Sequence, residues 1–110
     1  MLGAIITAAV TPFDADLRID SDAFATLVRF LKQNSSDSVV VSGTTGEAST
    51  LDDDEKVELF RIACAERTDG FKVVAGTGSN DTAHSVHLTE RAAEVGVDAV
   101  LAVTPYYNKP

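Results

Sequence analysis

The sequence predicts an α/β fold built on a parallel sheet. Four short apolar runs alternate with three amphipathic stretches, in the order β-α-β-α-β-α-β. The runs are rich in Val, Ile and Ala without polar alternation, which is typical of strands covered on both faces. That alternating order favours parallel strands, and no linker or low-complexity tract divides residues 1–110 into two domains. The runs cover residues 5–10, 39–41 with Ser38 leading in, 73–75 and 99–103.

The first and third amphipathic stretches are predicted to be helices with recognisable ends. The first covers about residues 21–33, with Ser21 as its N-cap and an apolar stripe that starts at Phe24. The third covers about residues 81–95, and Gly96 is expected to stop it.

The second helix is expected to begin near Thr50, where Asp53 three residues later forms a capping-box-like pair. Residues 52–55 of its first turn are all acidic. Because negative charge is favourable at the positive end of a helix dipole, we interpret this run as helix initiation rather than as a metal site.

Small or hydroxylated residues follow every predicted strand. Since the carboxyl ends of parallel strands share one face, this repetition indicates a common site there and favours a closed barrel over an open doubly wound sheet. An open nucleotide-binding sheet would carry a glycine fingerprint in its first turn, which is absent here. Gly76 and Gly78 begin such a pattern, but Asp81 stands in place of its third glycine, so we do not expect a nucleotide site.

Charge and composition exclude several classes of function. With 9 basic and 17 acidic residues the net charge is −8, which argues against a nucleic-acid partner. The apolar opening residues 1–10 lack a basic flank and run into Thr11 and Pro12, so neither a signal peptide nor a membrane span is expected, and the chain is expected to be soluble and cytoplasmic. The single cysteine, Cys64, is expected to pack in the interior.

Two segments could carry chemistry. In residues 43–47, Gly-Thr-Thr-Gly-Glu, the glycines permit close approach of the backbone, and amides with the hydroxyls of Thr44 and Thr45 could hold a carboxylate. A tight β-to-α turn explains the same spacing equally well. In residues 104–110 the phenols of Tyr106 and Tyr107 could relay a proton or could serve for packing.

Together these segments resemble the dihydrodipicolinate synthase family over essentially the whole chain. The motifs are VTPF at residues 10–13, GTTGE at 43–47, GTGSN at 76–80 and TPYYNKP at 104–110. The resemblance implies a (β/α)8 TIM barrel lyase in which pyruvate forms a Schiff base with a lysine and condenses with aspartate semialdehyde in lysine biosynthesis. We expect no cofactor and no metal.

The resemblance also assigns roles to individual residues. Thr44 would be the hydroxyl of a proton relay between two tyrosines, and Thr45 would bind the pyruvate carboxylate. Tyr107 would be one of the two tyrosines and would reach into a neighbouring subunit's site, which implies a homo-oligomer, a dimer or a dimer of dimers. Related enzymes, the 2-keto-3-deoxy sugar-acid aldolases and N-acetylneuraminate lyase, remain alternatives.

Many members of the family have an inhibitory lysine site. Asn80 and Tyr106 match positions that would line it, but Lys56 and His84 stand where lysine-sensitive members tend to carry His and Glu. We therefore predict weak or absent lysine feedback. An alternative interpretation of His84 and His87, three residues apart on a helix, is a solvated face.

A barrel of this type needs about 250 residues or more, so these 110 residues are expected to supply about the first half of one domain. The family's Schiff-base lysine lies on a later strand, and Lys109 is a poor substitute because it lacks a desolvating pocket. We expect the chain alone to be inactive, with open sheet edges that pair with a complementary half barrel or with a second copy. A non-catalytic half-barrel association module is the alternative.

Overall fold

The computed structural model describes residues 1–108, and Lys109 lies outside them. Four strands alternate with three helices, as predicted, and a short 3-10 turn precedes the second helix. The strands are β1 (Ile6–Ala8), β2 (Ser38–Val41), β3 (Lys72–Gly76) and β4 (Ala99–Leu101). The helices are α1 (Ser21–Gln33), α2 (Asp53–Ala65) and α3 (Thr82–Val95), and the 3-10 turn is Ala48–Thr50.

The strands form one parallel sheet in the order β1-β2-β3-β4, which confirms the predicted topology. Val39 of β2 pairs with Thr7 on one side and with Val73 on the other. Because all four strands run the same way, the segments that follow them meet at one edge of the sheet, which we call the carboxyl edge.

The core lies between one face of the sheet and the helices. Val39 and Val73 of the central strands are fully buried, whereas Ile6 of β1 and Val100 of β4 are each 43% exposed. The prediction that the strands are covered on both faces therefore holds for β2 and β3 but is wrong for β1 and β4 within residues 1–108. The helical residues that complete the core include Phe24, Val28, Leu59, Phe60, Leu88 and Ala92.

The predicted N-cap of α1 is wrong by one residue. Asp20 has the extended backbone of a cap, and its Oδ1 accepts a hydrogen bond of 3.0 Å from the backbone N–H of Ala23. Ser21 is the first helical residue. Asp and Ser are both favourable N-cap residues. Which of the two caps α1 depends on where the chain turns after the antiparallel bridge between Phe13 and Ile19.

The predicted start of α2 also needs correction, because Thr50 belongs to the 3-10 turn. Asp52 is the N-cap and forms a capping box with Glu55, with hydrogen bonds of 2.8 and 2.9 Å. The interpretation of the acidic run as helix initiation is confirmed. Gly96 ends α3 in the left-handed conformation, also as predicted.

Cys64 is half-buried against the core, and burial raises the pKa of its thiol. In residues 1–108 no helix is long and apolar enough to cross a membrane. The same residues contain no cluster of three or more His, Cys, Asp or Glu side chains that could hold a metal ion.

Asp98 ties the amino-terminal ends of β3 and β4 together. Its carboxylate accepts a hydrogen bond of 2.8 Å from the backbone N–H of Val73 and one of 2.9 Å from the Arg67 guanidinium. Partial burial works to raise the pKa of the Asp98 carboxyl, but these hydrogen bonds and the charges of Arg67 and Lys72 outweigh it and hold the pKa below its usual range.

We predict that Asp98→Asn lowers the free energy of unfolding at pH 7 by about 1 kcal/mol, after discounting for solvent exposure. The pKa of Asp98 is lower in the folded than in the unfolded protein. Its carboxylate therefore contributes fully to stability above the unfolded pKa of about 3.9, and this contribution is lost as the pH falls through the lower folded pKa. Urea unfolding should therefore show that the difference in the free energy of unfolding between wild type and variant is smaller at pH 3 than at pH 7. Asp69→Asn, in an exposed turn nearby, is the control and should leave the free energy of unfolding at pH 7 unchanged.

Candidate functional site

The turn after β2 is held against the end of β1. The Thr11 side chain is buried, and its Oγ1 donates a hydrogen bond of 2.7 Å to the carbonyl oxygen of Gly46. The turn is closed by a hydrogen bond of 3.0 Å from the N–H of Gly46 to the carbonyl of Gly43. Thr44 and Thr45 are exposed between these anchors, and neither hydroxyl forms a hydrogen bond within residues 1–108. Thr11 is one of the hydroxylated residues predicted to follow a strand, but the sequence indicated no role for it in holding this turn.

The turns after β2, β3 and β4 touch through their backbones. A Cβ atom on Gly76 would overlap the carbonyl oxygen of Ser42, and one on Gly78 would overlap the backbone nitrogen of Val103. Glycine is therefore required at both positions for the three turns to approach each other. The buried Thr77 between them accepts a hydrogen bond of 2.8 Å from Thr89, which links this region to α3.

These turns form a cleft of about 580 Å³ at the carboxyl edge. It lies between the turn after β2, the start of α2, the start of α3 and the segment after β4. Five of the residues singled out in the sequence line it, namely Thr44, Lys56, Asn80, His84 and Tyr106. Thr45 and Tyr107 are not among its lining residues.

The two tyrosines after β4 differ in their surroundings. The rings of Tyr106 and Tyr107 pack edge to face, with centroids 6.2 Å apart and planes at 77°. Tyr106 is 45% exposed and lines the cleft, whereas Tyr107 is fully exposed and has a positive φ of 63°. Within residues 1–108 the Tyr107 phenol therefore lies in no pocket.

Lys56 and His84 lie on facing sides of the cleft, on α2 and α3. Lys56 is only 8% exposed and forms no hydrogen bond or ion pair within the described residues. The Nε2 atom of His84 lies 2.8 and 2.9 Å from the two carboxylate oxygens of Asp53. The interpretation of a solvated histidine face agrees with the exposed His87 and in part with His84, whose side chain is 39% exposed but is paired with Asp53. No local periodicity indicated the His84–Asp53 pair, because its members lie 31 residues apart.

Comparison with known proteins gives a consistent family assignment. The model of the dihydrodipicolinate synthetase family matches residues 1–110. The 4-hydroxy-tetrahydrodipicolinate synthase of Bacillus velezensis is 50% identical over 109 residues, which are 99% of this chain and 38% of that protein. The chain thus spans little more than a third of the length of that relative.

Solved structures agree with this similarity. A dihydrodipicolinate synthase of Bacillus anthracis has a TM-score of 0.95 and 50% identity, and the match covers 100% of this chain and 38% of that one. A chloride-inhibited dihydrodipicolinate synthase of Acinetobacter baumannii, solved in complex with pyruvate, has a TM-score of 0.95 and 38% identity with the same coverage. The predicted fold class is confirmed, since the parallel sheet and its helices match the first half of the TIM barrel in these structures.

Proposed function

This chain belongs to the dihydrodipicolinate synthetase family, and from that premise we propose that it supplies part of the active site of a pyruvate-dependent lyase. The lyase condenses pyruvate, bound as a lysine Schiff base, with aspartate semialdehyde in lysine biosynthesis. The observation that carries the proposal is a pair of exposed threonine hydroxyls, in a turn that is anchored at the carboxyl edge of a parallel sheet. The chain that contains this turn is 50% identical to a 4-hydroxy-tetrahydrodipicolinate synthase. In barrel enzymes this edge is where catalytic groups gather.

In this proposal the two threonines have different tasks. Thr44 lines the cleft and its hydroxyl forms no hydrogen bond within residues 1–108, so this hydroxyl can accept a proton from one phenol and donate its own to the next. Thr45, in the same glycine-bounded turn, donates a hydrogen bond from its hydroxyl to the pyruvate carboxylate. The backbone N–H groups of Thr44 and Thr45, which form no hydrogen bond within residues 1–108, would add to carboxylate binding.

Tyr107 is proposed to act in a neighbouring subunit. A fully exposed phenol on a left-handed residue projects away from its own chain, and a second copy would bury it. Homo-oligomerisation, as a dimer or a dimer of dimers, would then be part of the mechanism. β1 and β4 are the outermost strands of the sheet within residues 1–108, and their unpaired backbone groups favour further strands beside them, from the remaining barrel or from a second copy.

The Schiff-base lysine is proposed to lie outside these 110 residues. Lys32 lies on α1 and donates to the carbonyl of Glu66, and Lys72 begins β3 at the opposite edge. Lys56 lies on α2 rather than at the end of a strand, and Lys109 is outside the described residues. A polypeptide of these residues alone is therefore expected to be inactive.

Reductive trapping tests this proposal. Treatment of the native protein, as its gene encodes it, with pyruvate and borohydride should give one covalent adduct, because a Schiff base is reduced to a stable secondary amine. A polypeptide of residues 1–110 treated in the same way should give none by intact mass spectrometry. A native protein without an adduct would contradict the proposed function, and an adduct on the short polypeptide would contradict the location of the lysine.

We predict that Thr44→Val in the native protein lowers kcat by about 10²-fold or more, the usual size of a lost proton-transfer group, with a smaller change in the KM for pyruvate. Steady-state kinetics would measure both parameters. Thr26→Val removes an exposed hydroxyl from α1 and is the matched control. Equal, small effects of the two substitutions would argue against a relay through Thr44.

The cleft is expected to respond weakly to L-lysine. The effector's ammonium needs a free carboxylate, but the lining residues include none, and the nearby Asp53 is already paired with His84. Initial rates of the native protein should therefore change little as L-lysine is added, and strong inhibition would contradict the prediction. The double variant Lys56→His/His84→Glu should increase the sensitivity.

A further inference from the structure

Asp69 and Gly70 form the tip of the turn between α2 and β3, at the edge of the sheet opposite the candidate site. A hydrogen bond of 3.0 Å from the backbone N–H of Phe71 to the carbonyl oxygen of Thr68 closes this turn. The φ angle of Gly70 is 83°, which is the value that a type II turn requires at its third residue. Both tip residues are exposed, and a Cβ atom on Gly70 would meet nothing within 4 Å. The Gly70 backbone is therefore open to solvent.

The carboxylate of Asp69 is free, in contrast to most aspartates of the described residues. All of the others except Asp22 accept a hydrogen bond or form an ion pair through their carboxylates. Asp22 lies in the first turn of α1, where the N–H of the next residue, Ala23, is donated to Asp20. The N–H of Gly70, by contrast, forms no hydrogen bond within residues 1–108. Asp69 is also the only aspartate of the sequence that precedes a glycine.

A free carboxyl group beside a free glycine N–H is what intramolecular imide formation needs. The backbone nitrogen of Gly70 can attack the Cγ atom of Asp69, because both belong to one short stretch of chain and close a five-membered ring. Glycine has no side chain that would shield its nitrogen from the carboxyl group. The new bond joins this nitrogen to Cγ. The nitrogen loses its proton and the carboxyl group loses a hydroxyl, and the two leave as water.

We propose that Asp69 is a site of spontaneous isomerisation to isoaspartate. Water opens the cyclic imide at either of its two carbonyl carbons. Opening at Cγ restores aspartate, whereas opening at the main-chain carbonyl leaves Gly70 bonded to Cγ. In the second product the main chain is one carbon longer and the former main-chain carbonyl has become a free carboxylate. The water released in the first step is replaced in the second, so the reaction needs no oxidant and no cofactor.

The longer main chain acts on the start of β3. Phe71 follows the turn directly, is only 2% exposed and belongs to the hydrophobic core. The hydrogen bond between Phe71 and Thr68, and the pairing of Lys72 with Ser38 that follows it, both depend on the span of the turn. Lengthening the turn shifts Phe71 in the core and reduces the apolar area that it buries. The isoaspartyl form is therefore less stable than the aspartyl form.

Ageing of the protein in isotopically labelled water tests the proposal. The native protein is incubated at neutral pH in water enriched in heavy oxygen, then digested with trypsin in ordinary water and analysed by mass spectrometry. The peptide of residues 68–72, which contains Asp69, should incorporate solvent oxygen and separate into an aspartyl and an isoaspartyl form. The peptide of residues 19–29, which contains the other free aspartate, Asp22, should incorporate none. Absence of label at Asp69, or equal label in both peptides, would overturn the proposal.

Substitutions at position 69 test the ring closure. Asp69→Glu should incorporate no label at this position, because its longer side chain would have to close a less favourable six-membered ring. Asp69→Asn should isomerise at least several-fold faster than the wild type, since ammonia leaves an amide more readily than water leaves a carboxylate. A synthetic peptide of residues 66–73 provides the rate without the fold. Isomerisation in the peptide but not in the native protein would show that the folded turn prevents the attack, and would overturn the proposal.

Thermal unfolding measures the consequence for β3. The isoaspartyl form, separated by ion-exchange chromatography, should melt at a lower temperature than freshly purified protein. Asp69→Glu, incubated under the same conditions, should keep the melting temperature that it has when fresh. An isoaspartyl form with an unchanged melting temperature would overturn the proposed effect on Phe71. Neither measurement depends on the proposed lyase activity, because the modification involves only Asp69, Gly70 and water.

Discussion

The backbones of three successive turns are in contact at the carboxyl edge of the sheet, and this contact sets the position of the candidate site residues. It requires glycine at position 76, where a side chain would overlap the Ser42 carbonyl, and again at position 78. The buried hydrogen bond from Thr11 to Gly46 holds the first of these turns from the other side. These contacts fix the backbone on both sides of Thr44, as the proton relay proposed for its hydroxyl would require.

A second constraint acts between helices. The pairs Asp53–His84 and Asp54–Arg91 join the start of α2 to α3. Both helices contribute residues to the cleft, which is also lined by the turns that follow the strands. The acidic run therefore has two roles. Asp52 and Glu55 cap α2, whereas Asp53 and Asp54 pair with side chains of α3. Lys56 also lines this cleft and forms no ion pair within residues 1–108.

The sequence patterns identified the helices and strands well and their ends less well. Apolar periodicity is a local property, so the order of elements could be read directly from it. At the start of α1, however, Asp20 and Ser21 are both acceptable caps, and at α2 the same ambiguity extends from Thr50 to Asp52. Which residue caps a helix depends on the backbone angle at which the chain enters it, and that angle is set by packing.

By itself the sequence determined the parallel α/β order and the gathering of hydroxyl-bearing turns at one edge, because both depend on neighbouring residues and on the common direction of the strands. Tertiary structure alone decided that Lys56 is buried, that His84 pairs with Asp53, and that Thr45 and Tyr107 do not line the cleft. Those outcomes depend on how α2 and α3 pack against each other. Residues 31 positions apart meet there, and no periodicity within either helix encodes which of them face each other.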